Sequence, residues 1–306
     1  MLFASPFITV YSLIIAAVAG MCAGSFLLCV AGRSTNGEGL RSLFGRSHCD
    51  ACGHSLGAAE LIPIFSYVFL RGRCRHCKAK LSPVYPASEA ALAVIFMLLL
   101  MRYDISIEFV QFALLASALF MASAADIGAY IIPNGAVLFM IAVRLCFILT
   151  SGDILLRLRD AAIGAFCISL PVFVVSLVME KILSREAMGG GDIKLFFAVG
   201  MYFGWRENIL LLIIACVLGI VFGIVSALLS DDSVDSADNA DNDGNDMSDK
   251  NEDSKENKDS KDSKDNADDE NDIDKKMIPF GPSIAAAAVI TSLVGSTVTG
   301  WYMSLF

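Results

Sequence analysis

Long apolar runs separated by short polar breaks make up most of this 306-residue chain. Runs of roughly 16 to 24 apolar residues recur along it, which is the length a helix needs to cross a bilayer. The first covers Phe7–Val30, and others fall near 87–101, 108–125, 134–150, 160–181, 193–204, 208–229 and 278–303. The pattern predicts an all-α polytopic membrane protein with about eight transmembrane helices. The 193–204 run is short for a bilayer. It reads as a partial span, because irregular backbone is tolerated at membrane depth where protein or water lines it. The first run is too long for a cleaved signal and lacks a basic leader, so it reads as a retained helix.

The polar breaks are unequal. Residues 31–86 form a long loop with eight Lys+Arg against three acids, and by the positive-inside rule this loop is cytoplasmic. Eight spans then put both termini outside, and the ends of the runs near Asp126 and Asp192 on the cytoplasmic side. Within the loop lie Cys49-x-x-Cys52 and Cys74-x-x-Cys77, with 21 residues between the pairs. Two such knuckles supply four thiolates for one tetrahedral zinc, and a cytoplasmic address argues against disulfides. Reduced or redox-active thiols are the plainer alternative. Between the knuckles, the apolar stretch from Glu60 to Arg73 is too short to span. It is expected as a short helix or strand on the zinc module or the membrane surface.

Composition adds one correction. Mean hydropathy is +0.63 and 56% of residues are hydrophobic, yet the formal charge is −9. Residues 230–276 hold 19 acidic and 7 basic residues, so the remainder of the chain carries +3. This Asp/Asn/Ser/Lys tract has the composition of a disordered insert. The acidity belongs to it alone, and no nucleic-acid partner is expected. The expected organisation is a first transmembrane helix (1–30), a cytoplasmic zinc-binding loop (31–86), a membrane core (87–229), the acidic insert (230–276) and a last transmembrane helix (277–306).

Two acids sit at the mouths of apolar runs, where a carboxylate near lipid is expensive and needs a reason. Asp126 closes one run and is followed by Ile132-Pro133-Asn134; Asp192 follows Gly189-Gly190-Gly191 and precedes Ile193-Lys194. Taken alone, Asp192 fits a helix N-cap and the glycines an open turn. Taken together, two carboxylates at one membrane face suit a dyad that shares a proton, one member activating water and the other the substrate carbonyl. Arg144 lies inside a run and needs a partner. Glu89, entering a helix, reads as a dipole-complementing residue.

These elements resemble the type IV prepilin peptidases, bacterial members of the membrane GxGD aspartyl proteases. The resemblance rests on Asp126 with Pro133-Asn134 and on Gly189-Gly190-Gly191-Asp192-Ile193-Lys194. It is supported by Gly24-Ser25-Phe26-Leu27, the two CxxC pairs, Val84-Tyr85-Pro86 with Glu89, and Ile278-Pro279-Phe280-Gly281-Pro282. It implies Asp126 and Asp192 as the catalytic pair. Gly189, Gly190, Gly191, Lys194, Pro133 and Asn134 would form the active-site loops, with Cys49, Cys52, Cys74 and Cys77 as zinc ligands. The implied substrate is a prepilin or pseudopilin, cleaved between a basic leader and an apolar helix at the bacterial inner membrane. Many members also methylate the new N-terminus with S-adenosylmethionine. Here Leu28 stands where Asn is typical, and no nucleotide-type glycine fingerprint accompanies it. The competing readings are a zinc-stabilised membrane assembly factor of a pilus or secretion system, with the acids as caps, and a transporter.

Overall fold

A computed structural model describes residues 6–35, 47–49, 51–150, 152–183, 189–234 and 279–304. Most of the acidic insert, together with Met188 and Ile278, lies outside the described residues. The elements are α1 (Pro6–Thr35), a 3₁₀ turn (Ala58–Leu61), α2 (Phe65–Phe69), α3 (Val84–Tyr103), α4 (Ile107–Ala129), α5 (Asn134–Leu149), α6 (Ile154–Leu183), α7 (Gly190–Gly200), α8 (Trp205–Val234) and α9 (Gly281–Met303). Six of these, α1, α3, α4, α6, α8 and α9, are long and apolar enough to cross a membrane. The other two long ones, α5 and α7, are shorter. The expected all-α, multi-span architecture is what the chain adopts.

Element ends differ from the apolar runs in ways that capping explains. Helix α1 continues to Thr35, with Arg33 in its last turn complementing the helix dipole. Helix α4 begins at Ser106, whose hydroxyl accepts the amide of Phe109 at 3.2 Å. It ends on Tyr130 in the left-handed conformation, φ 53°, donating its amide to the Asp126 carbonyl. Helix α9 starts three residues later than its run, because Pro282 suits only the first turn. The 11 residues of α7 reach about 16 Å, far short of a bilayer. Protein surrounds it: Leu195, Phe196, Ala198 and Val199 are all buried, so lipid thickness does not govern its length.

The unit formed by residues 1–218 and 280–306 contains two apolar clusters. The larger joins α4, α5, α6, α7, the first half of α8 and α9 around Leu119, Met140, Phe196 and Ile284. The smaller joins α1, α3 and α4 around Leu92 and Phe96. Helices approach closely through small residues, as they must where lipid supplies no hydrophobic drive. A Cβ on Gly20 would lie 2.7 Å from the Ala93 Cα, and one on Gly24 would lie 3.0 Å from the Glu89 Cα, so the glycines let α1 lie flat on α3. Gly164 and Gly200 make the same kind of contact between α6 and α7. Asn208, fully buried, bridges that crossing by donating Nδ2 to the carbonyls of Gly164 (3.0 Å), Gly200 (3.1 Å) and Phe203 (3.2 Å). Arg144 finds its partner in Tyr202, with its guanidinium 5.6 Å from the ring centroid. The Tyr202 hydroxyl donates to the Met140 carbonyl at 2.7 Å. The other unit, 219–279, contributes the second half of α8.

Three residues separate α3 from α4, which therefore run antiparallel. The C-terminal end of α4 thus lies at the same end of the bundle as the N-terminal end of α3 and the cysteine-bearing loop. That end carries the chemistry.

Candidate active site

Asp126 lies one turn before the end of α4 and is 6% exposed. Its Oδ2 accepts the backbone N–H of Gly281 at 2.8 Å. Gly281 is the first residue of α9, so the carboxylate faces the unpaired amides and positive dipole end of a helix. Glycine is required there by closeness: a Cβ would lie 2.7 Å from Oδ2 and 3.2 Å from the Asp126 Cγ. Sequence reasoning noticed the Ile-Pro-Phe-Gly-Pro element without assigning Gly281 a role. The available signal was a glycine held between Phe280 and a helix-starting Pro282.

Asp192 is half-buried in the first turn of α7. It does not cap that helix. Gly189 occupies the N-cap position without any side-chain hydrogen bond, and the Asp192 amide donates to the Gly189 carbonyl at 3.1 Å. The N-cap alternative therefore gives way, and the side chain is available for other work. The glycine run also differs from the open turn expected of it. Gly189 has an ordinary extended backbone, φ −60° and ψ 134°, and Gly190 and Gly191 are already helical. What glycine provides is room, since a Cβ on Gly191 would lie 3.2 Å from the Ile132 Cβ.

The segment after Asp126 and the turn before α7 meet at this end. Ile132 packs on Gly191, Pro133 ends the extended link into α5, and Asn134 Oδ1 accepts from the exposed Lys194 Nζ at 3.3 Å. Phe280 and Phe196 pack with centroids 6.3 Å apart, locking α9 against α7. Through these contacts the α9 terminus that faces Asp126 and the α7 turn that carries Asp192 belong to one packed end of the bundle. Of the predicted loop residues, Gly189 lies beside Asp192, where a Cβ would be 3.7 Å from Oδ2, Gly191 packs on Ile132, Lys194 bonds Asn134, and Gly190 has no heavy atom within 4 Å of where its Cβ would be. Beside α7, an apolar groove of about 360 Å³ is lined by Val137, Phe166, Leu170, Phe173, Ile193 and the Lys194 stem.

The cysteine loop forms a second centre. Each CxxC pair sits in the same turn. The Cys49 amide donates to the His54 carbonyl (2.9 Å) and the Cys74 amide to the Ala79 carbonyl (2.8 Å). Positive-φ residues, Gly53 and Lys78, directly follow each pair. The four Sγ atoms lie within 4.8 Å of one another. Cys49 and Cys77 Sγ are 3.9 Å apart, close to the edge of about 3.8 Å that tetrahedral zinc–sulfur bonds of about 2.3 Å require. Backbone amides of Cys77 and His76 hold the Cys74 thiol down to about 7, while, against the pull of the His54 amide, burial and crowding by the other thiols push Cys52 up to about 11, so it is the clustering of four sulfurs that makes this a metal site. The residues fit a metal ion such as zinc.

Glu89 ties this module to the bundle. Its side chain is buried, and Oε2 accepts the Ile64 amide at 2.6 Å. This holds Ile64 at φ 59°, a conformation costly for a β-branched residue. The simple dipole reading of Glu89 is thus replaced by a docking contact. The apolar stretch between the knuckles forms α2 and presents Phe65, Val68 and Phe69 outward.

Two family descriptions match the chain: "Bacterial Peptidase A24 N-terminal domain" over residues 18–103 and "Type IV leader peptidase family" over 113–224. Among curated proteins, a prepilin leader peptidase/N-methyltransferase of Aeromonas salmonicida is 29% identical over 85% of this chain and 75% of its own length. A protein of the same name from Klebsiella pneumoniae is 30% identical over 62% of this chain and 84% of its own length. A third, from Myxococcus xanthus, is 32% identical over 69% of this chain and 62% of its own. No solved structure matches. The first profile spans the cysteine loop and the second spans both aspartates, so the chain belongs to the type IV leader peptidase family.

Proposed function

We propose that this protein removes the leader peptide of type IV prepilins or pseudopilins at the cytoplasmic face of the bacterial inner membrane, with Asp126 and Asp192 as its catalytic pair. What supports the reading is that the elements carrying the two aspartates pack together: Asp126 Oδ2 accepts from Gly281 at the start of α9, Phe280 packs on Phe196 of α7, and Lys194 of α7 bonds Asn134. In this reading the two carboxyl groups share one proton. The ionised member draws a proton from water as the water oxygen attacks the scissile carbonyl carbon, and the protonated member donates to the carbonyl oxygen. Collapse of the tetrahedral species breaks the C–N bond. The proton taken from water then passes to the departing amine. The Asp126 carboxylate faces the N-terminus of α9 and Asp192 sits in the first turn of α7, and the fixed amides of helix N-termini favour negative charge without reorganising during the reaction. The apolar groove beside α7 suits the hydrophobic segment that follows the cleavage point, and Lys194 is its one charged lining residue.

The four cysteines hold a zinc ion in this reading. Four thiolates fill its coordination shell, so the metal organises the loop and takes no part in peptide cleavage. The relatives' names carry a second activity, that of an N-methyltransferase, and in this reading its acceptor is the newly exposed amino terminus. S-adenosylmethionine supplies the methyl group in such chemistry. Comparing leader removal by the wild type with that by Asp126→Asn and Asp192→Asn tests the peptidase reading: loss in both, with folding intact, supports it, and survival in either overturns it.

A further inference from the structure

Helix α2 is five residues long, too short to hold its shape alone in water. One side of it packs on its own module: Ser66 and Tyr67 are half-buried, and the Tyr67 hydroxyl donates to the Leu81 carbonyl at 3.4 Å. The other side is open. Phe65, Val68 and Phe69 stand at i, i+3 and i+4 and so share one helix face. Leu61 and Ile62 precede them, and the five side chains are 42 to 85% exposed. A cluster of large apolar groups this bare marks a surface that meets a partner.

Two features identify that partner. The first is depth. The Glu89 carboxylate, which accepts the Ile64 amide, lies five residues into α3, a helix that begins at Val84. The start of α2 is therefore fixed beside a membrane span, about 7.5 Å in from its end. Interfacial helices bury their apolar faces about 5–10 Å into the boundary between headgroups and acyl chains. Val84 and Tyr85, in the first turn of α3, are themselves exposed, and tyrosine at such a position is the mark of a membrane interface. The second is charge. Residues 61–80 carry five Lys+Arg and no acid, and Arg71, Arg73, Arg75, Lys78 and Lys80 are all exposed. Basic side chains next to an apolar helix face suit the phosphates of an anionic lipid surface.

We propose that α2 lies in the headgroup region of the leaflet on the cysteine-loop side, with Phe65, Val68 and Phe69 turned into the acyl chains and the bases of residues 71–80 over anionic lipid phosphates. The cysteine module is then held to the bilayer by α2 as well as by the spans α1 and α3 that flank it. The hydrogen bond from Ile64 to Glu89 sets α2 at the right level, and the unusual backbone at Ile64, φ 59°, turns the chain into it. The assignment stands apart from the peptidase reading and from the cysteine chemistry.

The test is fluorescence quenching on the full chain in vesicles of phosphatidylcholine and phosphatidylglycerol. The chain has two tryptophans, Trp205 and Trp301. With Trp205→Phe and Trp301→Phe in place, Phe69→Trp becomes the sole emitter, at a site too exposed for the larger ring to disturb packing. Brominated acyl chains are expected to quench it, and aqueous acrylamide to leave it bright. Quenching by acrylamide but not by bromine puts α2 in water and overturns the proposal. Protection from both means that protein covers the face, a second copy or another partner, and overturns it equally. Leaving out phosphatidylglycerol is expected to raise acrylamide access; no change overturns the pairing of the bases with anionic lipid. Hydrogen exchange supplies a second reading in the same vesicles. The Val68 and Leu70 amides close α2 on the carbonyls of Ile64 and Ser66. Phe65→Ser with Phe69→Ser is expected to speed their exchange roughly tenfold or more, because five residues cannot keep a helix unaided. Unchanged exchange, with zinc content as in the wild type, would overturn the proposal.

Discussion

Gly281→Ala is the most informative single change, because the structure sets its size. The new Cβ would sit 2.7 Å from Asp126 Oδ2, whereas ordinary contact begins near 3.4 Å. Backbone on α9 is held by Pro282 and by the packing of Phe280 on Phe196, so the carboxylate is the part that yields. A retreat of about 0.7 Å stretches its 2.8 Å hydrogen bond to about 3.5 Å, beyond useful range. Misplacing a catalytic group by about 1 Å costs on the order of 10²-fold in rate. The expected result is a fall in kcat of roughly 30- to 100-fold, about 2–2.7 kcal/mol of transition-state stabilisation, with KM little changed. The assay is steady-state leader removal from a prepilin in detergent or lipid discs, with thermal melting and zinc content as controls for folding. Gly300→Ala on the same helix, which meets nothing within 4 Å, should cleave normally. Full activity in Gly281→Ala would show that the carboxylate's position at the α9 terminus does not matter, and would refute the reasoning.

Other outcomes follow from the same contacts. Leader removal should have a bell-shaped pH profile whose two limbs belong to the aspartate pair, since one proton must be present and the other absent; a flat profile would count against a shared proton. Cys49→Ser or Cys74→Ser should lower zinc content, measured by elemental analysis, below one ion per chain and expose the loop to protease. Tyr202→Phe loses the hydrogen bond to the Met140 carbonyl and should cost about 1 kcal/mol, read as a lower Tm. Asn208→Ala removes its hydrogen bonds to three carbonyls at the α6–α7 crossing and leaves a gap there, and should cost about 2–3 kcal/mol on the same measurement.

Much of this architecture was legible along the chain because lipid imposes a simple rule: a span must be apolar and long. The runs beginning near 108 and 134 match α4 and α5 closely, and the short run near 193 became the buried helix α7. Asp126 and Asp192 stood out because acids at such places are rare. What escaped notice depends on contacts across the chain. Gly281 is 155 residues from Asp126, and nothing local in Phe280-Gly281-Pro282 reports that a carboxylate lies against it. Arg144 announced the need for a partner, but Tyr202 could be found only once α5 packed on α7. Nothing in the sequence around Asn208 marks its role, because its three carbonyl partners come together only where α6 crosses α7. The glycine run reads as an open turn because sequence shows missing side chains but not φ; packing of Ile132 on Gly191 explains that glycine instead. Glu89 looked like a dipole partner until the fold placed Ile64 against it.

The central claim is that Asp126 and Asp192 act as one pair. The direct measurement is leader removal from a prepilin substrate by purified wild type, Asp126→Asn and Asp192→Asn, each checked for zinc content and a cooperative melt. The account predicts cleavage by the wild type and a loss of at least about 10³-fold in each variant, the scale of a missing acid or base. Cleavage at the wild-type rate in either well-folded variant would contradict it.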